Sequence, residues 1–152
     1  MTKKSTVTGA KDIAKRFKYA VPGLVPAIAE AQKKALKPML AMAKANAPID
    51  DGDLRRSLAI KRLRSARERP QHAVGPRSDY VGKDGEKPVR IAHITEFGRA
   101  ANADGHGEVQ GTRWLTRAFQ ATAEQTIQIF TATVKPAFER KLAKLAARKA
   151  AK

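Results

Sequence analysis

The residues of this chain best suited to chemistry are carboxylates crowded into one turn and histidines well beyond it. Asp50, Asp51 and Asp53 fall within one turn's length of each other. A two-metal nuclease needs acids from separate elements converging on its ions. These three share one stretch and run straight into Arg55 and Arg56, so capping of a turn explains them better. His93 and Glu96 stand one helical turn apart, with Asp104 and His106 in the loop that follows. Their spacing matches no ligand motif, and three histidines in 152 residues are an ordinary number. There is no Gly-rich phosphate loop, nucleophile elbow or HExxH pattern. The expectation is a protein with no catalytic residues, no metal and no cofactor.

The acids sit at a corner, Ala47-Pro48-Ile49-Asp50-Asp51-Gly52-Asp53-Leu54-Arg55-Arg56-Ser57-Leu58. Pro48 has no N–H and biases Ala47 out of the helical region, so a preceding helix should stop there. Asp51-Gly52 is a turn signal, since Gly takes φ > 0 without steric cost. Asp50 or Asp51 would cap a short helical turn, with Arg55 and Arg56 at its negative end and Leu54 plugging the corner into the core.

Before the corner, residues 22–47 read as one long helix, roughly 39 Å at 1.5 Å per residue, kinked at Pro38. Its apolar stripe of Leu24, Ile28, Ala31, Ala35, Met39 and Ala43 is rich in alanine. Such a face admits a close neighbour, from this chain or another subunit. A short basic helix is expected from Thr8, carrying Ile13 and Phe17.

After the corner, Leu58 and Ile60 alternate with Ala59 and Lys61 as in a half-buried strand, and His72-Ala73-Val74-Gly75 would return. The hairpin tip carries Arg62, Arg64, Arg67 and Arg69, a patch for an anionic surface or a loop kept soluble by charge. Residues 91–98 fit both periods; the preferred reading is a short helix ending at Gly98 in a left-handed cap, with loop over 99–111. Thr112 would cap a final helix whose stripe of Leu115, Phe119, Ala123, Ile127, Phe130, Val134 and Phe138 survives across Pro136, where a kink is expected. Residues 140–152 form a basic amphipathic tail.

The chain is long enough for one domain with a real core, and 42% apolar residues favour a folded protein. Its lack of cysteine excludes a disulfide framework and fits assembly in a reducing compartment. No apolar run approaches spanning length and the N-terminus has no apolar signal core, so no membrane partner is expected. The net charge of +17 asks for an anionic partner, while 5% aromatic residues disfavour a stacking single-strand binder.

Three ordered segments carry a resemblance. Ala47 to Leu58 is similar to the "APVDTGxLRxS" segment of tail-completion proteins of long-tailed bacteriophages. His93-Ile94-Thr95-Glu96-Phe97-Gly98 resembles their "vEFG" segment, and Arg113-Trp114-Leu115-Thr116-Arg117-Ala118-Phe119 their "PFLRPAF" helix start. The resemblance spans about residues 22–135 and takes in the lambdoid gene-10-like tail components and, more distantly, the lambda minor tail protein Z. In this chain Asp51 stands where Thr is usual, Arg99 where Thr or Ser follows the Gly, and Arg113 and Arg117 where prolines are common.

The resemblance implies an α+β subunit in which a long N-terminal and a long C-terminal helix pack on a small antiparallel sheet. A basic arm (1–21) would precede this domain (22–135) and a basic helical extension (136–152) would follow it. It implies a non-enzymatic virion protein, assembled in the host cytoplasm, forming a ring, often a hexamer, at the neck. The partners would be a head-closure or connector protein, a tail terminator or tail tube protein, and DNA in the channel. Pro48, Gly52, Leu54, Phe97, Gly98, Trp114 and Leu115 would be structural, with Phe97 the core anchor. Asp50, Asp51, Asp53 and Arg55 would face a neighbouring subunit, as would Arg113, Arg117 and Glu96, the last paired with an arginine of the next copy. The competing reading is a small basic nucleic-acid-binding protein.

Overall fold

Prolines divide the first half of the molecule. In the computed structural model, which describes residues 22–63, 70–101, 105 and 107–150, a 3-10 turn, Pro22–Leu24, leads into α1, Val25–Ala35, and then α2, Lys37–Asn46. The single kinked helix expected here is two helices. Leu36 is the joint, at φ −82° and ψ −5°, and its N–H still reaches Gln32 O at 3.0 Å. Pro38 has no N–H to continue the ladder, so it occupies the first turn of a new helix instead. The basic helix expected from Thr8, the tip residues Arg64, Arg67 and Arg69, and Asp104 and His106 lie outside the described residues.

Ala47 ends α2 in an extended conformation, φ −60° and ψ 132°, as a residue before proline must. Gly52, at φ 82°, then starts α3, Asp53–Ser57. β1, Leu58–Arg62, pairs antiparallel with β2, His72–Pro76, with Ile60 opposite Val74. Leu58 and Val74 face the core. Gln32 ties the hairpin base to α1, its amide donating to Pro70 O at 2.9 Å and its oxygen meeting His72 Nδ1 at 2.8 Å.

The ambiguous segment is a helix, α4, Pro88–Phe97, started one residue inside by Pro88. Gly98 follows at φ 86° and ψ 177°. That is not the left-handed helical cap expected from sequence. The residue is extended with positive φ and opens β3, Gly98–Arg99, which pairs antiparallel with β4, Val109–Gln110. This second sheet replaces the expected loop at both its ends.

α5, Trp114–Ala150, runs unbroken through Pro136 for about 55 Å. It lies antiparallel along α1 and α2: Asn46 Nδ2 is 3.5 Å from Trp114 O, and a Cβ on Gly23 would strike the Lys141 side chain. The alanine-rich face is therefore used within the chain. Ala31, Ala35 and Ala43 are buried against α5, whose buried side chains are Trp114, Ala118 and Thr122. The core adds Ala47, Leu54, Leu58, Val74 and Ala92. The expected stripe on α5 was one residue out of phase at its start, since Phe119 and Ile127 are exposed. One residue rotates a helix face by about 100°, and only small side chains fit where the helices approach closely. The architecture is α+β, long helices packed with two small antiparallel sheets.

Candidate functional site

Two buried carboxylates organise the segments singled out above. The first is Glu96, 4% exposed at the end of α4. Its Oε2 accepts the Leu115 N–H at 2.7 Å, and its Oε1 accepts the Thr116 N–H at 3.0 Å and hydroxyl at 2.5 Å. The first N–H groups of a helix have no intrahelical acceptor, and the positive end of the helix dipole attracts an anion. Glu96 thus caps α5 from another helix. Burial alone would raise its pKa; the Thr116 hydroxyl and the Leu115 and Thr116 N–H groups outweigh that and hold it below the usual glutamate value. Within the chain Glu96 is therefore a buried internal cap and not the exposed acid expected to meet an arginine of the next copy.

The strand pair and backbone close the same junction. The Thr112 N–H and hydroxyl both donate to Thr95 O, at 2.8 and 2.9 Å, and the Arg113 N–H donates to Glu96 O at 3.0 Å. Thr112 is therefore outside α5 and does not cap it. Arg113 takes that position at φ 53°, a left-handed conformation closed to proline. The Arg117 N–H bonds Arg113 O at 2.9 Å, which proline could not do. Both departures from the resembling segment thus have a backbone reason. A Cβ on Gly98 would sit 2.7 Å from Val109 O, and one on Gly111 2.6 Å from Gly98 N. Trp114, 1% exposed, fills the junction and places Nε1 3.3 Å from Thr95 Oγ1. Leu115 packs at the edge of the same core.

Phe97 is 52% exposed, so the anchor is Trp114 and not Phe97. The Phe97 ring lies 4.9 Å from His93 and 5.1 Å beneath the Arg113 guanidinium, centroid distances suited to aromatic and cation–π contact. The helical phase explains the exchange. Ala92 and Glu96 share the buried face of α4, and Phe97 lies about 100° further round.

The second carboxylate is Asp53, 6% exposed on α3. Oδ1 accepts Arg56 Nη2 at 2.6 Å, Arg56 Nε at 3.2 Å and the Tyr80 hydroxyl at 3.1 Å; Oδ2 accepts the Lys83 N–H at 2.9 Å. Arg56 first, then the Lys83 N–H, bring its pKa to about 2. A Cβ on Gly82 would collide with this carboxylate. Asp53 is thus an internal tether for residues 80–83, buried and paired with Arg56. The N-cap position of α3 is Gly52, which has no side chain, so neither Asp50 nor Asp51 caps the turn as expected; Asp51 Oδ1 only accepts the Asp53 N–H, at 2.9 Å, from one residue further out. Leu54 beside it is buried in the core, as the corner required.

Of the remaining interface residues, Asp50 and Asp51 are exposed, as are Arg113 and Arg117, while Arg55 is half-buried. Arg117 reaches back to Thr112 O. Of the hairpin arginines, Arg62 is exposed at the end of β1. From sequence, no site role is assigned to Tyr80, Gly82, Gly111 or Thr116. Only the glycines carried a signal there, and a glycine does not say which backbone comes close.

No described helix is long and apolar enough to cross a membrane. No curated protein and no solved structure matches the chain. Residues 11–98 match the family model described as "Bacteriophage HK97-gp10, putative tail-component". That match takes in the Asp53 corner and ends on Gly98, with the α5 start beyond it. On this match the chain belongs to the HK97-gp10-like family of phage tail components, and its role is a structural one in the tail of the virion.

Proposed function

We propose that this tail component forms a ring at the phage neck, completing the tail and joining it to the head. The supporting observation is the chemistry left on the surface once Glu96 and Asp53 are spent on folding. One part is carboxylate, with Asp50 and Asp51; another is apolar and aromatic, with Phe97, Phe119 and Ile127 exposed. A ring of identical subunits uses heterologous contacts, in which each copy offers two unlike patches. Arg113, over the Phe97 ring, and the exposed Arg117 belong to the surface this reading assigns to contact, and Arg55 to its margin. Six copies are the reading's symmetry. A head-closure or connector protein would lie on one side and a tail terminator or tail tube protein on the other, with DNA in the channel. Residues 22–135 form the body of the subunit, flanked by the basic arm and extension. Catalysis has no part in this role.

Native mass spectrometry of the purified protein should give a closed oligomer, and particles lacking it should hold full heads without a functional tail joint. A protein absent from purified particles and monomeric in every preparation overturns the ring. The net charge of +17 supports a second reading, a nucleic-acid-binding protein. Binding to duplex DNA across a salt series separates the two. A dedicated phosphate-tracking site loses affinity along a steep log–log line, whereas binding that vanishes by physiological salt is charge alone.

A further inference from the structure

A groove of about 230 Å³ opens between the acidic corner and the start of α4. Its apolar lining comes from Pro48, Leu54, Pro88 and Ile91, and its carboxylates are Asp50, Asp51, Asp84 and Glu86 beside the buried Asp53. No lysine or arginine lines it among the described residues, although Lys87 and Arg90 share the adjoining cavity with Asp84 and Glu86. The chain has 31 Lys and Arg against 14 Asp and Glu, so five acids in one groove are a local inversion of its charge. Asp53 is neutralised by Arg56, but no ion pair among the described residues involves the other four. An apolar floor with an acidic rim that makes no described ion pair suits a ligand that carries both cations and aliphatic side chains.

We infer that this groove receives the basic C-terminal end of α5 from a second copy of the chain. That end offers Arg140, Lys144 and Arg148 as cations against one acid, Glu139, with Leu142 40% exposed beside them. Charge complementarity selects it, and the fold forbids the copy from filling its own groove. Trp114 and Asn46 meet at the groove's end of the helical layer, while Lys141 lies against Gly23 at the other. About 40 Å of helix separates them. The contact therefore runs head to tail between copies, with the groove of one receiving the helix end of the next. It takes its repeated geometry from the ring reading. Arg113 and Arg117 lie at the groove's own end of the layer and do not supply this contact.

The test uses a fluorescent peptide of residues 136–152 titrated into the full-length protein at about 50 mM and 300 mM salt, and the assembly of charge-reversal variants. D50K/D84K/E86K alters rim side chains that make no described hydrogen bond, and D84N/E86Q is its milder form. The peptide should bind wild type at low salt, at least tenfold more weakly at high salt, and at least tenfold more weakly to D50K/D84K/E86K. Assembly should be lost in that variant and in K144E/R148E, and recovered when the two proteins are mixed, since reversed ends meet reversed grooves. Equal peptide binding to wild type and D50K/D84K/E86K overturns the docking. So does assembly that K144E/R148E leaves intact while the groove variant loses it, because a different basic segment then fills the groove. Closed oligomers indifferent to every reversal overturn the docking and leave the ring standing. Peptide binding confined to the groove in a protein that never closes an oligomer sinks the ring and keeps the docking.

Discussion

The Glu96 junction and the Asp53 corner are built on one plan. Each buries a carboxylate beside a large apolar residue, Trp114 in one and Leu54 in the other, and each uses its acid to collect N–H groups from a distant stretch of chain. They differ in what the acid collects. Glu96 gathers the Leu115 and Thr116 N–H groups and the Thr116 hydroxyl, all neutral, at the positive end of a 37-residue helix. Asp53 is held chiefly by one exposed guanidinium and gathers a single N–H from a loop. The first site fixes where the longest element of the molecule begins. The second fixes a loop that forms one wall of an acidic groove. A buried acid with neutral donors supports architecture, and an acid shared with a surface arginine holds a more adjustable edge.

The largest expected loss in this comparison is at Trp114. Trp114→Ala removes the best-buried large side chain and should cost about 3–5 kcal/mol, read as a fall in the urea midpoint at unchanged slope. Leu54→Ala, its counterpart at the corner, belongs in the range of about 2–5 kcal/mol. If Leu54→Ala is the costlier of the two, the corner and not the junction is the stronger anchor.

Glu96→Ala should follow, at about 2–3 kcal/mol, because it uncaps α5 and strands buried donors. Glu96→Gln keeps an acceptor oxygen and should lose about 1–2 kcal/mol. Amide exchange at Leu115 and Thr116 should quicken in both variants while that at Lys83 stays unchanged. Faster exchange at Lys83 would mean the two sites are not independent.

The acid limb of stability separates them next. Both carboxyls are lowered on folding, so each contributes stability that is full above its unfolded pKa and lost as pH falls through the folded one. For Asp53 the window runs from its ordinary 3.8 down to about 2. The urea midpoint should fall between roughly pH 5 and pH 2, and Asp53→Asn should flatten part of that slope. An unchanged slope in Asp53→Asn would put the acid sensitivity elsewhere.

The smallest effect should be at Phe97. Phe97→Ala removes an exposed ring and should leave stability within about 0.5 kcal/mol of wild type. A loss as large as that at Trp114 would return Phe97 to the core.

Local rules determined a good part of this fold from sequence alone. Pro48 set the end of the second helix, Gly52 the positive-φ turn, and the alternation of Leu58 to Lys61 the first hairpin strand; at Pro38 the local rule marked the place but gave a kink where the chain starts a new helix. Each depends on backbone sterics within a few residues, and those travel with the sequence wherever it sits. The three resembling segments also identified the places where the chain holds itself together.

The direction each acid faces was decided only by tertiary structure. Glu96 and Asp53 read as surface charges because an acid near basic residues is ordinarily solvated; the partners of Glu96 lie about 20 residues along the chain, and Asp53, besides Arg56 three residues on, meets the Lys83 N–H about 30 residues away. The same holds for Phe97 and Trp114, aromatic residues of equal promise in composition. Packing against α1 and α2 selected the small-residue face of α5, and that choice turned Trp114 inward while leaving Phe119 outside. A helical period reports that a face exists; which residues it buries depends on the shape of the element that covers it.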